Sequence, residues 1–257
     1  IPQLFIRKIM EKKYQHVSHL EHVTLRPDSY VGSVSNRTCE RWICPKIGKA
    51  FELVNCKARP AALKIFDEIA MNATDNSLLE KNPTKTIRFV LTEENLRVEN
   101  DGECIPVKIQ DGEYIPSMVF FKLLTSEHYD DKKERTSAGL NGYGCKLTSI
   151  FSSWIQIECY DPKRKLLLTQ EYRNNMRDTN GPQVKKKNGN RFTTSVTFRP
   201  DVKFFPKWNN RVNMAIYRRR VCDIAACFPN LKIYLNGEKL KMTFKNYPKL
   251  YTTNKST

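Results

Sequence analysis

The sequence lacks several features that would place it in a common protein class. None of its apolar runs approaches the roughly 18 residues that a membrane-spanning helix requires, and its first residues do not read as a signal peptide. It has no Cys-x-x-Cys pair, no Cys and His spacing typical of zinc sites, and no internal repeat. These absences argue against a membrane-spanning, secreted or zinc-binding protein. Ile1 in place of methionine indicates a fragment of a longer chain.

Acidic residues are scarce relative to basic ones. The 257 residues include 44 Lys and Arg against 27 Asp and Glu, which gives a formal net charge of +17. Such an excess of basic residues favours a polyanionic partner, which could be nucleic acid, nucleotides or an acidic membrane face. The alternative is a basic surface that only aids solubility, and composition alone does not separate the two. The length and the 40% content of hydrophobic residues allow one large domain with a substantial core.

Eight cysteines are present, but their spacing does not indicate a disulfide framework. In a chain of this size, cysteines without such a framework are typical of an intracellular protein with reduced thiols. His19 and His22 are three residues apart and share a helix face. A metal site there is a minor alternative, because no third ligand is evident.

Apolar periodicity alternates between helical and strand-like segments along the chain. Helices are predicted from residue 60 to about 76 and over residues 118–124, 145–151 and 208–227. Strands are predicted around Trp42 and Phe51, and over residues 87–98 (a hairpin), 154–160, 166–172, 193–198 and 231–242 (a hairpin with an Asn-Gly turn). Residues 185–191 read as a basic loop. These elements predict an α+β two-layer sandwich, with a mixed, mostly antiparallel sheet and helices packed on one face.

A glycine-rich segment occupies residues 136–147. Gly139, Gly142 and Gly144 lie within six residues, and a helix-compatible run follows at once. Glycines let the backbone approach a ligand closely, and a helix N-terminus offers unpaired N–H groups, so the pair of features meets the requirements of a phosphate cradle. On its own the pattern fits an anion site or a plain turn equally well.

The predicted helix that begins at Pro60 carries polar groups along one stripe. Glu68 and Asn72 are four residues apart, and Asp75 or Asn76 continues the same line beside an apolar face. The stripe fits either a solvated helix edge or a Mg²⁺-nucleotide site. In the second case the amide oxygen of Asn72 is a hard ligand suited to Mg²⁺. The Glu68 carboxylate would then take a proton from, or orient, an attacking water.

A polar turn over residues 100–106 follows the predicted hairpin. Asn100 can present a side chain that hydrogen-bonds a base edge, although taken alone the segment is an ordinary turn. In chain order the sequence therefore contains E-x-x-x-N, a turn close to (D/N)-x-G-x-G, and a glycine lid. This order and spacing resembles the Bergerat-type ATPases of the GHKL superfamily, which includes type II DNA topoisomerases, the ninety-kilodalton heat-shock chaperone, MutL proteins and histidine kinases.

Further phrases narrow the resemblance to the N-terminal ATPase domain of eukaryotic-type type II DNA topoisomerases. The first is Leu-Arg-Pro-Asp-Ser-Tyr-Val-Gly at residues 25–32, and the phrases together span roughly residues 10–245. The other phrases lie at residues 64–76, 123–131, 141–147, 197–201 and 235–237. The resemblance is specific because several motifs occur together at the spacing of the family. It implies that the chain has the Bergerat fold.

The resemblance implies a role for individual residues. Glu68 would be the general base that activates water for attack on the γ-phosphate of ATP, and Asn72 would ligate Mg²⁺. Asn100 would read the adenine amino group, and Thr194 would help to bind adenine. Tyr14, on an N-terminal arm, would reach into the nucleotide site of a partner subunit. The other residues expected at the ATP site are Asp75, Asn76, Ile105, Ser126, Asn141, Gly142, Tyr143, Gly144 and Lys146.

For the fragment as a whole, the resemblance implies an ATP-hydrolysing gate that dimerises on binding ATP and captures a DNA duplex. The expected organisation is an arm over residues 1–24, an ATPase domain over 25–245, and the start of a linker to a second domain over 246–257. ATP and Mg²⁺ are the expected cofactors, and the expected partners are ATP, double-stranded DNA and a second copy of the chain, with no membrane. The expected location is the nucleus or another DNA-containing site, such as an organelle or a viral factory. Because the family's DNA-cleaving residues lie elsewhere, we expect no strand breakage by this stretch alone.

The chain departs from the family pattern at several positions. Cys104 replaces the last glycine of the turn. If this position requires a positive φ, the cysteine would cost about 1 kcal/mol in backbone strain; if it lies against the adenine, its side chain would narrow the nucleotide pocket. Leu140 stands where an arginine is common, and Ala138 replaces a lid glycine. Glu127 and His128 replace a small polar pair. The alternatives are therefore a nucleotide- or DNA-binding module without turnover, another GHKL member, or a structural dimerisation module driven by the arm.

Overall fold

A nine-stranded sheet forms the centre of the computed structural model, which describes residues 18–122 and 144–251. Two two-stranded ribbons accompany it, one with seven residues in each strand and one with two. The strands in chain order are β1 (Arg37–Ile43), β2 (Glu52–Ala58), β3 (Thr86–Leu91), β4 (Leu96–Asn100), β5 (Ile109–Gln110), β6 (Glu113–Tyr114), β7 (Ser152–Asp161), β8 (Leu166–Arg173), β9 (Asp178–Thr179), β10 (Gln183–Lys186), β11 (Thr194–Pro200), β12 (Lys232–Leu235) and β13 (Glu238–Lys239).

Helices connect and cover these strands. They are α1 (His19–Leu25), α2 (Pro60–Asp75), α3 (Ile115–Phe121), α4 (Gly144–Ile150) and α5 (Arg211–Cys227), and short 3-10 turns occur at Pro27–Ser29, Asn76–Leu78 and Tyr247–Tyr251. Within the two described ranges, no helix is both long enough and apolar enough to cross a membrane.

The strand order of the sheet is β10-β8-β7-β11-β4-β3-β12-β13, with β9 paired to β8. Strands β3 and β12 run parallel, whereas the other neighbours in this order are antiparallel. The predicted hairpin over residues 87–98 is the β3–β4 pair, and the predicted Asn-Gly hairpin is the β12–β13 pair. The mixed, mostly antiparallel sheet is therefore confirmed.

Helices α2 and α5 pack on one face of the sheet. Phe66 of α2 meets Phe89 of β3 at 6.0 Å and Tyr217 of α5 at 5.2 Å between ring centroids. All three side chains are almost completely buried, as are Val98 and Phe198 on the same face of the sheet. Burial of such large apolar side chains is the main stabilising contribution of this layer. The predicted two-layer sandwich with helices on one face is thereby confirmed.

The opposite face of the sheet carries an ion-pair network. Glu99 is only 2% exposed and accepts a hydrogen bond from Arg97 at 2.9 Å and one from Ser195 at 3.2 Å. Arg88 also contacts the Glu99 carboxylate, and Arg97 reaches Glu158 at 2.6 Å. Burial alone would raise the pKa of Glu99, but the hydrogen bonds from Arg88 and Arg97 lower it below its usual value. Glu99 therefore remains a charged link between neighbouring strands.

Helix α2 forms where the apolar spacing predicts it. Pro60 lies in its first turn, where the missing N–H of proline costs nothing, and Asn76 follows its last residue. Ile65, Phe66 and Ile69 are buried along one face, which leaves Glu68 and Asn72 on the flank of the helix. The local sequence therefore determines both the helix and the side on which its polar stripe lies.

Some boundaries differ from the sequence-based predictions. The segment predicted as a basic loop over residues 185–191 is in part strand, because β10 pairs with β8 at the sheet edge and two of its lysines stay exposed. Residues 247–251, assigned to the start of a linker, pack on the domain: Phe51 donates its N–H to the Leu250 carbonyl at 2.7 Å. The rings of Tyr247 and Tyr251 also contact Phe51.

The suggested histidine pair shows no metal cluster. His22 shares a hydrogen bond of 2.9 Å with the Tyr30 hydroxyl. Among the residues that the structure describes, no three His, Cys, Asp or Glu side chains are grouped as a metal site. All the described cysteines are free thiols, as expected for a reduced protein.

Candidate functional site

The polar stripe of α2 forms one wall of the candidate site. Glu68 is partly buried, with a side chain 20% exposed, and forms an ion pair with Lys64 one turn earlier in the helix. Asn72, one turn later, is exposed, so its amide is accessible to a ligand. The carboxylate and the amide that the sequence singled out therefore lie one turn apart on an accessible flank of the helix.

The last glycine of the glycine-rich segment lies directly against Glu68. Gly144 is the first residue of α4, and a Cβ atom added to it would lie 2.8 Å from Cδ and 3.2 Å from Cβ of Glu68. No side chain fits there unless the Glu68 carboxylate moves. The structure thus brings together two predicted site residues that are 76 positions apart in the sequence.

Helix α4 is fixed against α2 by a buried hydrogen bond. Thr148 donates from its hydroxyl to the carbonyl of Ile65 at 2.8 Å. Lys146 has no exposed surface, and burial lowers the pKa of its ammonium group. Burial also raises the pKa of the neighbouring Cys145 thiol to about 11, which keeps that thiol neutral. The predicted site residue Lys146 is therefore a buried amine close to the α2–α4 contact.

Two predicted adenine-binding residues lie side by side on the sheet. Asn100 and Thr194 are directly opposite each other on the antiparallel strands β4 and β11. Asn100 is 6% exposed and donates from its side chain to the Thr84 hydroxyl at 3.2 Å. Both residues continue the alternation that turns Val98 and Val196 toward the helices, so they form the floor below α2.

The turn after Asn100 is held by the side chain of Asn76. The amide oxygen of Asn76 accepts hydrogen bonds from the Thr84 hydroxyl at 2.8 Å and from the Glu103 N–H at 3.1 Å. Its amide nitrogen donates to the Glu103 carbonyl at 3.3 Å. A Cβ atom on Gly102 would lie 2.7 Å from the Thr84 amide nitrogen. Asn76 therefore fastens the end of α2 to a turn in which only glycine fits.

A second set of hydrogen bonds fixes the same turn from the sheet. Thr193 donates its N–H to the Asn100 carbonyl at 3.0 Å, and its hydroxyl donates to the Gly102 carbonyl at 2.9 Å. Asp101 accepts the N–H groups of Lys85 and Thr86 at 2.8 and 2.7 Å. Thr84 and Thr193 were not singled out in the sequence, since no local motif marks a threonine whose partner is distant along the chain.

Cys104 does not have the backbone conformation that would require glycine. Neither Cys104 nor Gly102 adopts a left-handed φ, so the expected strain from positive φ at residue 104 is absent. Burial raises the pKa of the Cys104 thiol, assisted by Asp161 and Glu103. Ile105 is half-buried and packs against the core. The glycine that matters for close approach is therefore Gly102.

Several predicted site residues lie outside the described ranges. They are Tyr14, Ser126, Asn141, Gly142 and Tyr143, together with the departures at Glu127, His128, Ala138 and Leu140. Asp75 is half-buried next to Asn76 at the end of α2. The structure thus brings together Glu68, Asn72 and Gly144 on one side, and Asn76 with Asn100 and Thr194 on the other.

Sequence comparison finds relatives named DNA topoisomerase 2. The protein of Candida glabrata is 38% identical over 254 residues, which cover 95% of this chain and 18% of the relative. The protein of Arabidopsis thaliana is 39% identical over 250 residues, which cover 95% of this chain and 17% of the relative. The chain therefore spans less than a fifth of the length of these relatives. No protein-family model matches the chain.

Structural comparison agrees with the sequence relatives. The ATPase region of Saccharomyces cerevisiae topoisomerase II matches with a TM-score of 0.88 and 38% identity, over 94% of this chain and 65% of that structure. The ATPase and transducer domains of DNA topoisomerase II from Balamuthia mandrillaris match with a TM-score of 0.83 and 36% identity, over 95% of this chain and 64% of that structure.

A more distant structure shares the fold alone. The 43K ATPase domain of Thermus thermophilus gyrase B has a TM-score of 0.60 at 20% identity, over 86% of this chain and 50% of that structure. The order of the motifs, the floor formed by Asn100 and Thr194, and the two closer structural matches all lead to one assignment. The chain belongs to the family of type II DNA topoisomerase ATPase regions.

Proposed function

We propose that this chain binds ATP together with Mg²⁺ and hydrolyses it, as the N-terminal gate domain of a type II DNA topoisomerase. The observation that carries the proposal is the close approach of Gly144 to Glu68. It sets the end of a glycine-rich segment beside the Glu68 carboxylate, and the exposed amide of Asn72 lies one helical turn further along α2. A base, a metal ligand and a phosphate-facing backbone are the groups that phosphoryl transfer to water requires.

The sheet side of the site suits the adenine. Asn100 and Thr194 offer polar side chains from adjacent strands, and the turn that follows Asn100 is fixed by hydrogen bonds on both sides. A preorganised polar floor costs little ordering entropy when a flat base binds. We therefore assign Asn100 and Thr194 to the adenine, with Ile105 beside it. Asn76 acts through the turn that it holds.

The helix side suits the phosphates and the reaction. Glu68 is placed to accept a proton from the attacking water, because its carboxylate is only partly buried and lies on the exposed flank of α2. Asn72 fits Mg²⁺, which favours few protein ligands with phosphate oxygens and waters completing its shell. When bound, the metal would supply positive charge to the phosphates. We assign the backbone of the glycine-rich segment, which ends at Gly144 beside Glu68, to the phosphates, with the buried Lys146 of α4 as a positive charge behind it.

Dimerisation and DNA capture belong to the same proposal. The relatives are DNA topoisomerases, and the net charge of +17 favours a polyanionic partner. We propose that ATP binding pairs two copies through the arm over residues 1–24, with Tyr14 entering the partner's site, and that a DNA duplex is held between them. A nuclear or other DNA-containing location follows from this substrate. We propose an ATPase domain that begins at residue 25, as expected, and that includes residues 247–251, which pack against Phe51.

The test is Mg²⁺-dependent release of phosphate from ATP at high protein concentration. Glu68→Gln removes the base and keeps the shape, so we expect the rate to fall by at least about a hundredfold, while ATP binding measured by calorimetry persists. Glu80→Gln, an exposed glutamate just beyond the end of α2, is the matched control and should retain the wild-type rate. Equal rates for the wild type and Glu68→Gln would contradict the proposal.

A binding module without turnover is the second candidate. The ion pair between Lys64 and Glu68 favours it, because it occupies a carboxylate that must be available to the attacking water. This candidate predicts ATP binding by calorimetry with the same low phosphate release from the wild type and from Glu68→Gln. The same pair of measurements therefore decides between the two functions.

A further inference from the structure

The two ends of the nine-stranded sheet differ in charge. Strand register sets the β7–β8 turn, the last residue of β10 and the loop before β11 at the same end, because Leu166 pairs with both Lys186 and Asp161. We call this the basic end. It comprises Lys163, Arg164, Lys165, Lys185, Lys186, Lys187 and Arg191.

The opposite end, here called the mixed end, carries charges of both signs. It is formed by the β3–β4 turn, the β8–β9 turn and the residues that follow β11. Its charged residues include Glu93, Glu94, Arg173, Arg177, Asp178, Arg199, Asp201 and Lys203. Opposite charges interspersed in this way give a weak net field, whereas the exposed side chains named for the basic end are all cations. Two carboxylates lie at the same end, in the turn after β4, and both are engaged: Asp101 accepts the N–H groups of Lys85 and Thr86, and Glu103 accepts a hydrogen bond from Asn82.

The basic end is held in a defined shape. Lys187 donates its N–H to the Lys165 carbonyl at 2.9 Å, and Gly189 donates its N–H to the Tyr160 hydroxyl at 2.8 Å. The Arg191 guanidinium lies over the rings of Phe192 and Tyr234, at 5.3 and 5.7 Å from their centroids. The turn and the loop therefore form one surface, and its cations need little reorganisation to meet a partner.

The carboxylate of Asp161, at the end of β7, does not neutralise the surface of the basic end. Asp161 is completely buried and accepts hydrogen bonds from the Arg164 guanidinium at 2.7 Å and from the Val107 N–H at 3.0 Å. The Asp161 carboxylate is therefore turned toward the interior, and its negative charge is paired with the Arg164 guanidinium. Lys163, Lys165 and the β10 lysines point to solvent without a carboxylate partner in the described residues.

We propose that the basic end binds the sugar-phosphate backbone of a DNA duplex. The choice of DNA as the polyanion rests on the proposed function, whereas the surface itself rests on the charges and the strand register. Lysines are compact cations suited to phosphates, and backbone contacts of this kind do not read sequence. Lysines on an edge strand can also serve to prevent its pairing with another chain. That role would explain the lysines of β10 but not the cations of the β7–β8 turn or Arg191.

The experiment measures binding of the whole chain to a fluorescein-labelled duplex of about 30 base pairs, by anisotropy across a salt series. The basic-end variant carries Lys163→Gln, Lys185→Gln and Lys186→Gln. The matched control carries Arg173→Gln, Arg177→Gln and Lys203→Gln at the mixed end, and so loses the same formal charge. None of the six belongs to the nucleotide site.

Each phosphate contact contributes about 0.9 to the slope of log affinity against log salt. We expect the basic-end variant to lose about 2 to 3 from that slope and at least about tenfold in affinity at low salt, while the control changes by less than about twofold. Equal weakening of both variants, or no binding by the wild type at the lowest salt, would overturn the inference. Phosphate release from ATP by all three proteins is measured in parallel, so a failed DNA surface with intact hydrolysis is distinguished from a failed ATPase.

Discussion

Gly102 and Gly144 lie on opposite sides of the candidate site, and each is glycine because another group comes too close for a Cβ atom. Their neighbours differ in kind. Gly102 faces the Thr84 backbone nitrogen and the hydrogen-bonded side chains of Thr84 and Asn76. Gly144 faces the Glu68 side chain: its two nearest atoms belong to the carboxyl group, at the flexible end of the chain, and the third is Cβ at 3.2 Å. The groups around Gly102 cannot move aside for a Cβ atom, whereas the Glu68 carboxyl group near Gly144 can rotate away.

The two sides of the site therefore differ in what holds their functional groups in place. On the adenine side, the turn after Asn100 is held by linked hydrogen bonds of Asn76, Thr84 and Thr193, so that a small shift breaks several of them at once. The phosphate side depends on where a single carboxylate is held, so a small shift there preserves the fold and moves the reacting group. Damage to the first should appear as lost stability, and damage to the second as lost catalysis.

Gly102→Ala should give the largest effect. The new Cβ meets backbone that cannot move without breaking the bonds around Asn76, so we expect a loss of about 3 kcal/mol in the free energy of unfolding. Urea unfolding followed by tryptophan fluorescence measures this loss. A variant as stable as the wild type would show that the turn is looser than its hydrogen bonds indicate.

Gly144→Ala should act on hydrolysis instead. The Cβ displaces the Glu68 carboxylate by rotation of its side chain, so the free energy of unfolding should change by less than about 1 kcal/mol. Misplacement of the base by about 1 Å should lower the rate of phosphate release by about a hundredfold. Each glycine variant is the control for the other, and the same pattern of losses in both would remove the contrast.

Asn76→Ala tests the adenine side without a steric clash. Removal of the amide leaves the Glu103 N–H and the Thr84 hydroxyl without their partner, so we expect a loss of about 2 kcal/mol in stability and weaker ATP binding. The control is Asn55→Ala, at an exposed position of β2, which should change stability by less than about 0.5 kcal/mol. Calorimetry with ATP and thermal unfolding supply the two readouts.

Lys64→Ala should give the smallest effect. The lysine side chain is 52% exposed, and an exposed pair of this kind contributes less than about 0.5 kcal/mol to stability. Release of the Glu68 carboxylate should raise phosphate release by about twofold, because the base no longer has a competing partner. The wild-type rate should also rise with salt, whereas the rate of the variant should not. A fall in the rate of Lys64→Ala would show that the lysine positions the base.

The sequence predicts most of what is local in this molecule. Helical spacing identifies α2, and the same spacing sets Glu68 and Asn72 one turn apart; alternation identifies the β3–β4 hairpin. The contact between Glu68 and Gly144 joins residues 76 positions apart, and no spacing rule measures such a distance. The family resemblance supplied it by grouping the two motifs.

The structure differs from the sequence-based predictions at β10, Thr84, Thr193 and Cys104, and each difference has a physical cause. The sequence pattern predicts a loop at the lysines of β10, because an edge strand needs few apolar residues and its polar side chains show no alternation of apolar and polar positions. Thr84 and Thr193 were missed because a threonine hydroxyl that fixes a distant turn has the same local context as one that faces water. Cys104 would cost strain only if its position required a positive φ, which it does not have; the turn needs glycine two residues earlier, for space and not for φ.

Strand β12 covers the edge of β3 by parallel pairing, although it lies more than 140 positions later in the sequence. Asn236 accepts the Leu91 N–H at 2.7 Å and donates to the Leu91 carbonyl at 3.0 Å, across 145 positions of sequence. A ribosome that has released only the residues before Lys232 has therefore produced a sheet in which β3 is an unprotected edge. Such an edge is a template for pairing between nascent chains, so this domain is most prone to aggregate just before its synthesis ends.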